Sequence, residues 1–182
     1  MERFRKAGIV FVLIFLIGFV SFVSCGAEKN AITHTFEVAE NEFELRGCTW
    51  NVEPPTRETV IFQTLEDGTT GTPYYPEQGF FYIVNVNVNP GDTPYLNLRD
   101  VRYQLVDVHG NVYLPARSFS AMAEYEKKTG LKSLVRANGI VREPVEGFVM
   151  IDGPGNLLGI TLEIFNTGQT PEEKIAIVDL KQ

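Results

Sequence analysis

Phe80-Phe81-Tyr82-Ile83-Val84-Asn85-Val86-Asn87-Val88-Asn89 decides how this chain folds. Tyr82, Val84, Val86 and Val88 fall on one face of an extended strand, and Asn85, Asn87 and Asn89 fall on the other. A period of two over that length describes a strand with one buried face and one wet face. Pro90-Gly91-Asp92 ends it with turn chemistry.

The same texture continues on both sides. Toward the C-terminus, Val101–Val108 is the next strand, and His109-Gly110-Asn111 turns it into Val112-Tyr113-Leu114, with Gly110 supplying a positive φ. Ser118–Lys128 reads as the one helix. Ser118 or Ser120 caps its start, Gly130 closes it, and Ala121, Met122 and Tyr125 form its apolar stripe. A helix of about three turns is not stable alone, so it must lie against the sheets. Val145–Ile151, Leu157–Phe165 and Lys174–Leu180 complete the strands on that side. Toward the N-terminus, Glu66–Gly79 reads as a long loop rich in Gly, Thr and Pro. Glu58–Thr64, Glu42–Trp50 and the alternating Ile32–Val38 are strands. Eight or nine short strands with one short helix predict an all-β, antiparallel β-sandwich over residues 32–182, with a closed barrel as the alternative.

The first 25 residues are of a different kind. Arg3, Arg5 and Lys6 precede an apolar run from Ala7 to Val23, which ends at Ser24-Cys25. A basic head, an apolar middle and a small residue before the cut describe a secretory signal peptide over residues 1–24. As a helix the run spans roughly 25 Å, against about 30 Å for a bilayer core. That length suits a cleaved signal better than a permanent span. Phe22-Val23-Ser24-Cys25 looks like the lipobox of bacterial lipoproteins, although leucine is commoner at the position of Phe22. The likeness implies lipidation of Cys25 and attachment to the cell membrane or outer membrane outside the cytoplasm. Two or three acyl chains hold firmly where one binds reversibly. Residues 25–31 are then a short lipidated tether.

Composition narrows the partners. The chain has 182 residues, with 16 Lys and Arg against 23 Asp and Glu, for a formal charge of −7. Removing the leader takes away three cations and one acid, so the remainder is more acidic still. This balance speaks against nucleic acid and anionic lipid heads as partners. With Cys25 lipidated, Cys48 has no partner for an internal disulfide and reads as a buried thiol beside Trp50.

Two blocks of this chain resemble a known family. The first is Phe81-Tyr82-Ile83-Val84-Asn85-Val86-Asn87-Val88-Asn89 followed by Tyr103-Gln104-Leu105-Val106-Asp107 and Gly110-Asn111-Val112-Tyr113. The second is Pro144-Val145-Glu146-Gly147-Phe148-Val149-Met150-Ile151. They are similar to the immunoglobulin-like domains of a bacterial lipoprotein family of unknown function, fold relatives of the mycobacterial immunoprotective secreted antigen. Family members carry a Pro-Gly turn where Glu143-Pro144-Val145 stands here, and residues 32–64 have no counterpart. The resemblance implies an immunoglobulin-like sandwich and carries no active site.

No pattern in the chain assigns catalysis. Gly-x-Ser-x-Gly, His-Glu-x-x-His, Cys-x-x-Cys and a glycine-rich phosphate loop are all missing, and His34 and His109 are the only histidines. Asp92, Asp100, Asp107 and Asp152 fall near strand ends, where oxygen ligands for calcium can gather, though solvated turns explain them as well. The expectation is a binding module with no catalytic activity, no cofactor and no metal. It engages an envelope protein or glycan through loops at the ends of the sandwich. The candidate contacts are Tyr74 and Tyr75 in Thr72-Pro73-Tyr74-Tyr75-Pro76, and Asn85 and Asn87 on the wet strand face. The competing readings are an extracytoplasmic hydrolase built on carboxylates and an ion-binding lipoprotein.

Overall fold

The computed structural model describes residues 42–168 and 170–180. The leader, Cys25, the tether, His34 and the expected strand Ile32–Val38 lie outside those residues. The described chain is mostly β, with several antiparallel sheets and one helix. Twelve strands occur among the described residues, where the sequence predicts eight or nine.

The first sheet contains β1 (Glu42–Leu45), β2 (Cys48–Val52), β6 (Phe80–Pro90), β10 (Val145–Gly153) and β9 (Lys132–Ser133) in that order, with β3 (Thr56–Glu58) also paired to β6. The second contains β12 (Glu173–Asp179), β11 (Thr161–Asn166), β7 (Val101–Val106) and β8 (Val112–Tyr113). β4 (Ile61–Thr64) and β5 (Thr70–Tyr74) form a separate hairpin. All named pairings are antiparallel except β9 with β10, which is parallel.

The higher strand count has four physical causes, one of them the two-residue β9, which exists through its pairing with β10. Glu42–Trp50 is two strands, because Arg46 (φ 55°) and Gly47 (φ 69°) make a two-residue turn with both φ positive. Glu58–Thr64 is also divided, its start joining β3 and its end forming β4. Glu66–Gly79 is not all loop, since Thr70–Tyr74 pairs with β4. Gly71 and Pro73 are poor strand formers, and a two-stranded hairpin tolerates them.

Tyr82, Val84, Val86 and Val88 of β6 enter one core with Trp50, Val149 and Ile151 of the first sheet and Tyr103, Leu105, Leu162, Ile164 and Val178 of the second. Each buried valine contributes about 1.5–3 kcal/mol relative to an exposed one. A one-residue slip would expose the whole row, which fixes the register. The other face of β6 changes character along its length. Phe81 and Ile83 are buried in a second cluster with Phe148, Met150, Ile61, Ala121 and Met122. That cluster is closed by α1 (Phe119–Thr129) and the β4–β5 hairpin. From Asn85 onward this cover ends, and the asparagine row begins.

The helix forms as its sequence predicts. The Ser118 hydroxyl accepts from Ala121 N at 3.3 Å, and Gly130 closes the helix in the left-handed region. Ala121 and Met122 are buried, and Tyr125 meets Phe148 edge-on at 4.8 Å. Lys127 Nζ donates to Thr64 O, and Thr64 N donates to Glu124, so helix and hairpin form one layer. Cys48 is a free, fully buried thiol, and burial pushes its pKa up.

Candidate functional site

Most polar features of the fold serve its own loops. Asp107 accepts from His109 N, Asn111 N, the Asn111 side chain and the Tyr113 hydroxyl, locking the β7–β8 turn in which Gly110 has φ 81°. These bonds, the Asn111 side chain foremost, hold its carboxyl down at about 2. Asp152 accepts from Glu77 N at 2.6 Å and Gln78 N at 2.9 Å, which straps the segment after Tyr75 to the end of β10. Thr69 holds the Asp67 carboxyl low. A general acid requires the opposite direction of shift. On the outer face of the second sheet, Glu163 is buried between Gln104 Nε2, at 2.8 Å, and the Lys174 ammonium.

The expected contact residues are not gathered into one place. Tyr74 ends β5 opposite Ile61, half-buried against the second cluster, so it is a strand residue and not a loop residue. Tyr75 beside it is 67% exposed. Asn85 and Asn87 lie on the uncovered part of β6. Asn85 Nδ2 donates to Glu53 Oε2 at 2.9 Å, and Asn87 lies between Asn51 and Glu146 on the flanking strands. The four aspartates likewise sit in different elements: Asp107 in the β7–β8 turn, Asp152 in β10, Asp100 at the end of a short 3-10 helix and Asp92 in the loop after β6. Among the described residues no group of three or more His, Cys, Asp or Glu is placed to hold a metal ion.

A different segment builds the most developed concavity. β9 runs beside β10, and Leu134 N donates to Phe148 O at 2.9 Å. The Leu134 side chain is 1% exposed and lies directly on Gly147. The chain then turns, with Arg136 N donating to Ser133 O, and returns to the body at Val141. Val141 N donates to Leu96 O and Leu98 N donates to Gly139 O, both at 3.0 Å. Residues 134–141 therefore form an arch held at its ends by buried Leu134 and Val141, with half-buried Val135 and Ala137 also packed against the core. Gly139, at φ 95°, provides the bend at the second foot, where its carbonyl meets Leu98 N.

An open cleft lies on each side of the arch. One, of about 510 Å³, is walled by Glu126, Lys132, Ser133, Arg142, Glu143 and Pro144. The other, of about 520 Å³, is walled by Asn97, Arg99, Val101 and Val135. Leu98, Arg136, Ala137, Asn138 and Gly139 belong to both, so the two clefts share one wall. No family model, curated protein or solved structure matches the chain.

The charge of this region runs against that of the chain. Lys132, Arg136, Arg142 and Arg99 line the clefts with Glu126 and Glu143. Glu126 is engaged, its Oε1 accepting from Ser133 N at 2.8 Å and its Oε2 lying 3.3 Å from Arg136. Among the described residues Arg99, Lys132 and Arg142 form no ion pair. The expected contacts did not include these cations, yet one sequence signal marks most of them. Residues 127–142 contain Lys127, Lys128, Lys132, Arg136 and Arg142 and no acid, within a chain of net charge −7. Arg99 has no such signal, because the Asn97 to Ile140 bridge brings it to the arch from far along the sequence.

Proposed function

We propose that this chain is a lipid-anchored, extracytoplasmic binding module with no catalytic activity. In this reading residues 1–24 are a lipoprotein signal peptide, Cys25 carries the lipid, and residues 25–31 are the tether. The domain that follows is an immunoglobulin-like β-sandwich of the lipoprotein family it resembles. It engages an envelope protein or glycan through loops at one end of its sheets. The observation that supports this most is the arch, a loop pinned at both feet by buried leucine and valine and by main-chain bonds, which presents exposed side chains between two clefts. Recognition loops on a rigid β framework are where such domains place function.

The test follows the full-length chain in its own cell. Wild type should partition with membranes and into detergent, while Cys25→Ser should be released or remain as unprocessed precursor. A photocrosslinking residue at exposed Ile140 should join an envelope component that the same residue at Tyr75 does not reach. Unprocessed wild-type protein in the cytosol, or equal labelling from both positions, would defeat the proposal.

A further inference from the structure

We infer that the two clefts beside the arch form a single site for a strand of acidic glycan, bound through its carboxylate or phosphodiester groups. This rests on the binding-module reading above and names the ligand class for its site.

Four observations carry the inference. The first is charge: Arg99, Lys132 and Arg142 stand around an acid-poor arch without ion pairs among the described residues. Separate guanidinium and ammonium groups match anions repeated along a chain. The second is shape. Two open clefts of about 510 and 520 Å³ share a wall that carries Arg136 and Asn138, and neither is enclosed, which suits an extended strand lying along the surface rather than one enclosed small molecule. The third is that a carboxylate already occupies part of the wall. Glu126 bonds Ser133 N and approaches Arg136, so the wall has the chemistry to accept carboxylate oxygens. An arginine has five donors, and this one contact leaves most of those on Arg136 for a ligand.

The fourth observation separates a glycan from an acidic peptide. β9 ends the first sheet on this side, and a peptide would add to its outer edge through main-chain bonds. Leu134 N faces β10, so Ser133 N faces outward, and Glu126 already holds it. That edge is capped against strand addition. No aromatic side chain lines either cleft, so stacking on neutral sugar rings is not the mode of binding. Charge, with Asn97 and Asn138 for hydroxyl groups, is the remaining means of recognition.

The experiment uses the full-length chain in neutral detergent micelles, titrated calorimetrically at low and high salt. The probes are an oligogalacturonate, a glycerol-phosphate oligomer, a neutral cello-oligosaccharide of similar length, and vesicles containing anionic lipid. At least one acidic oligomer should bind at 50 mM salt and lose about tenfold or more in affinity at 300 mM, as charge-driven contacts do. Which acidic oligomer binds decides between carboxylate and phosphodiester. The double variant Arg99→Gln/Arg142→Gln should lose tenfold or more with an unchanged melting temperature, while Arg117→Gln, away from the clefts, should bind as wild type. The inference fails if both acidic oligomers are ignored, if the neutral one binds as well, if only the vesicles bind, or if the double variant keeps its affinity. Membrane partition and crosslinking at Ile140 do not depend on these titrations, so the two proposals fail separately.

Discussion

Gly147 is the position where one methyl group should disturb both the sheet and the arch. It lies in β10 opposite Lys132 of β9, with Leu134 folded over it. A Cβ built there would stand 2.6 Å from Leu134 Cδ2, 2.7 Å from Leu134 Cγ and 2.8 Å from the Lys132 carbonyl oxygen. Ordinary contact begins near 3.4 Å, so each neighbour must retreat by several tenths of an ångström or more. Leu134 is 1% exposed, and the Lys132 oxygen is backbone. Overpacking of a core costs about 1–3 kcal/mol, and a backbone obstacle places Gly147→Ala near the upper end, about 3 kcal/mol. At about 2–4 °C per kcal/mol for a domain of this size, the melting temperature should fall by about 6–12 °C. Urea denaturation of Gly147→Ala, Leu134→Ala and the double variant forms the assay. Leu134→Ala alone should cost about 2–5 kcal/mol through its cavity. The new methyl fills part of that cavity, so the double variant should be at least about 1 kcal/mol more stable than the sum of the singles predicts. A Gly147→Ala variant within about 0.5 kcal/mol of wild type, or strict additivity, would refute the packing argument.

Two further substitutions have signs that the structure fixes. The Tyr103 hydroxyl is buried in the core without a hydrogen-bond partner, and burial pushes its pKa up. An unsatisfied buried group costs about 1–3 kcal/mol, so Tyr103→Phe should stabilise by about 1 kcal/mol and raise the melting temperature by about 2–4 °C; a loss of stability would show that the hydroxyl is satisfied. Asp107 has a folded-state pKa of about 2, below the ordinary value of about 3.9 for the unfolded chain. Its contribution is therefore complete above about pH 4 and is lost as pH falls toward 2. Asn111→Ala removes the largest cause of the shift, so the melting temperature of the variant should fall less steeply than that of wild type between pH 4 and 2, and parallel curves would contradict the assignment.

The parts of the fold legible in the sequence are those set by local rules. The β6 valines alternate because one side faces a core, and Ser118 and Gly130 bound the helix because capping chemistry is local. Other parts depend on distant partners. Phe81 and Ile83 look like the start of a wet face, and they are dry only because α1 and the β4–β5 hairpin cover them. β9 is two residues long and exists only through its pairing with β10. The Arg46-Gly47 turn was hidden because arginine rarely takes a positive φ. The clefts were hidden for a related reason. Net charge averages over the chain, whereas the clefts gather Lys132, Arg136 and Arg142 from one stretch and recruit Arg99 through a bridge that no local pattern encodes.

β6 and β10 are enclosed on two sides over residues 81–84 and 148–151, where successive side chains enter different oily clusters. Evolution can alter almost nothing there without disturbing one packing or the other. The opposite halves of the same two strands, from Asn85 and before Gly147, carry only one such obligation. Variation among descendants of this fold should therefore accumulate at that end, and it is the end that borders the arch. The central ladder thus divides itself into a doubly constrained half that holds the molecule together and a permissive half on which new specificities can be tried.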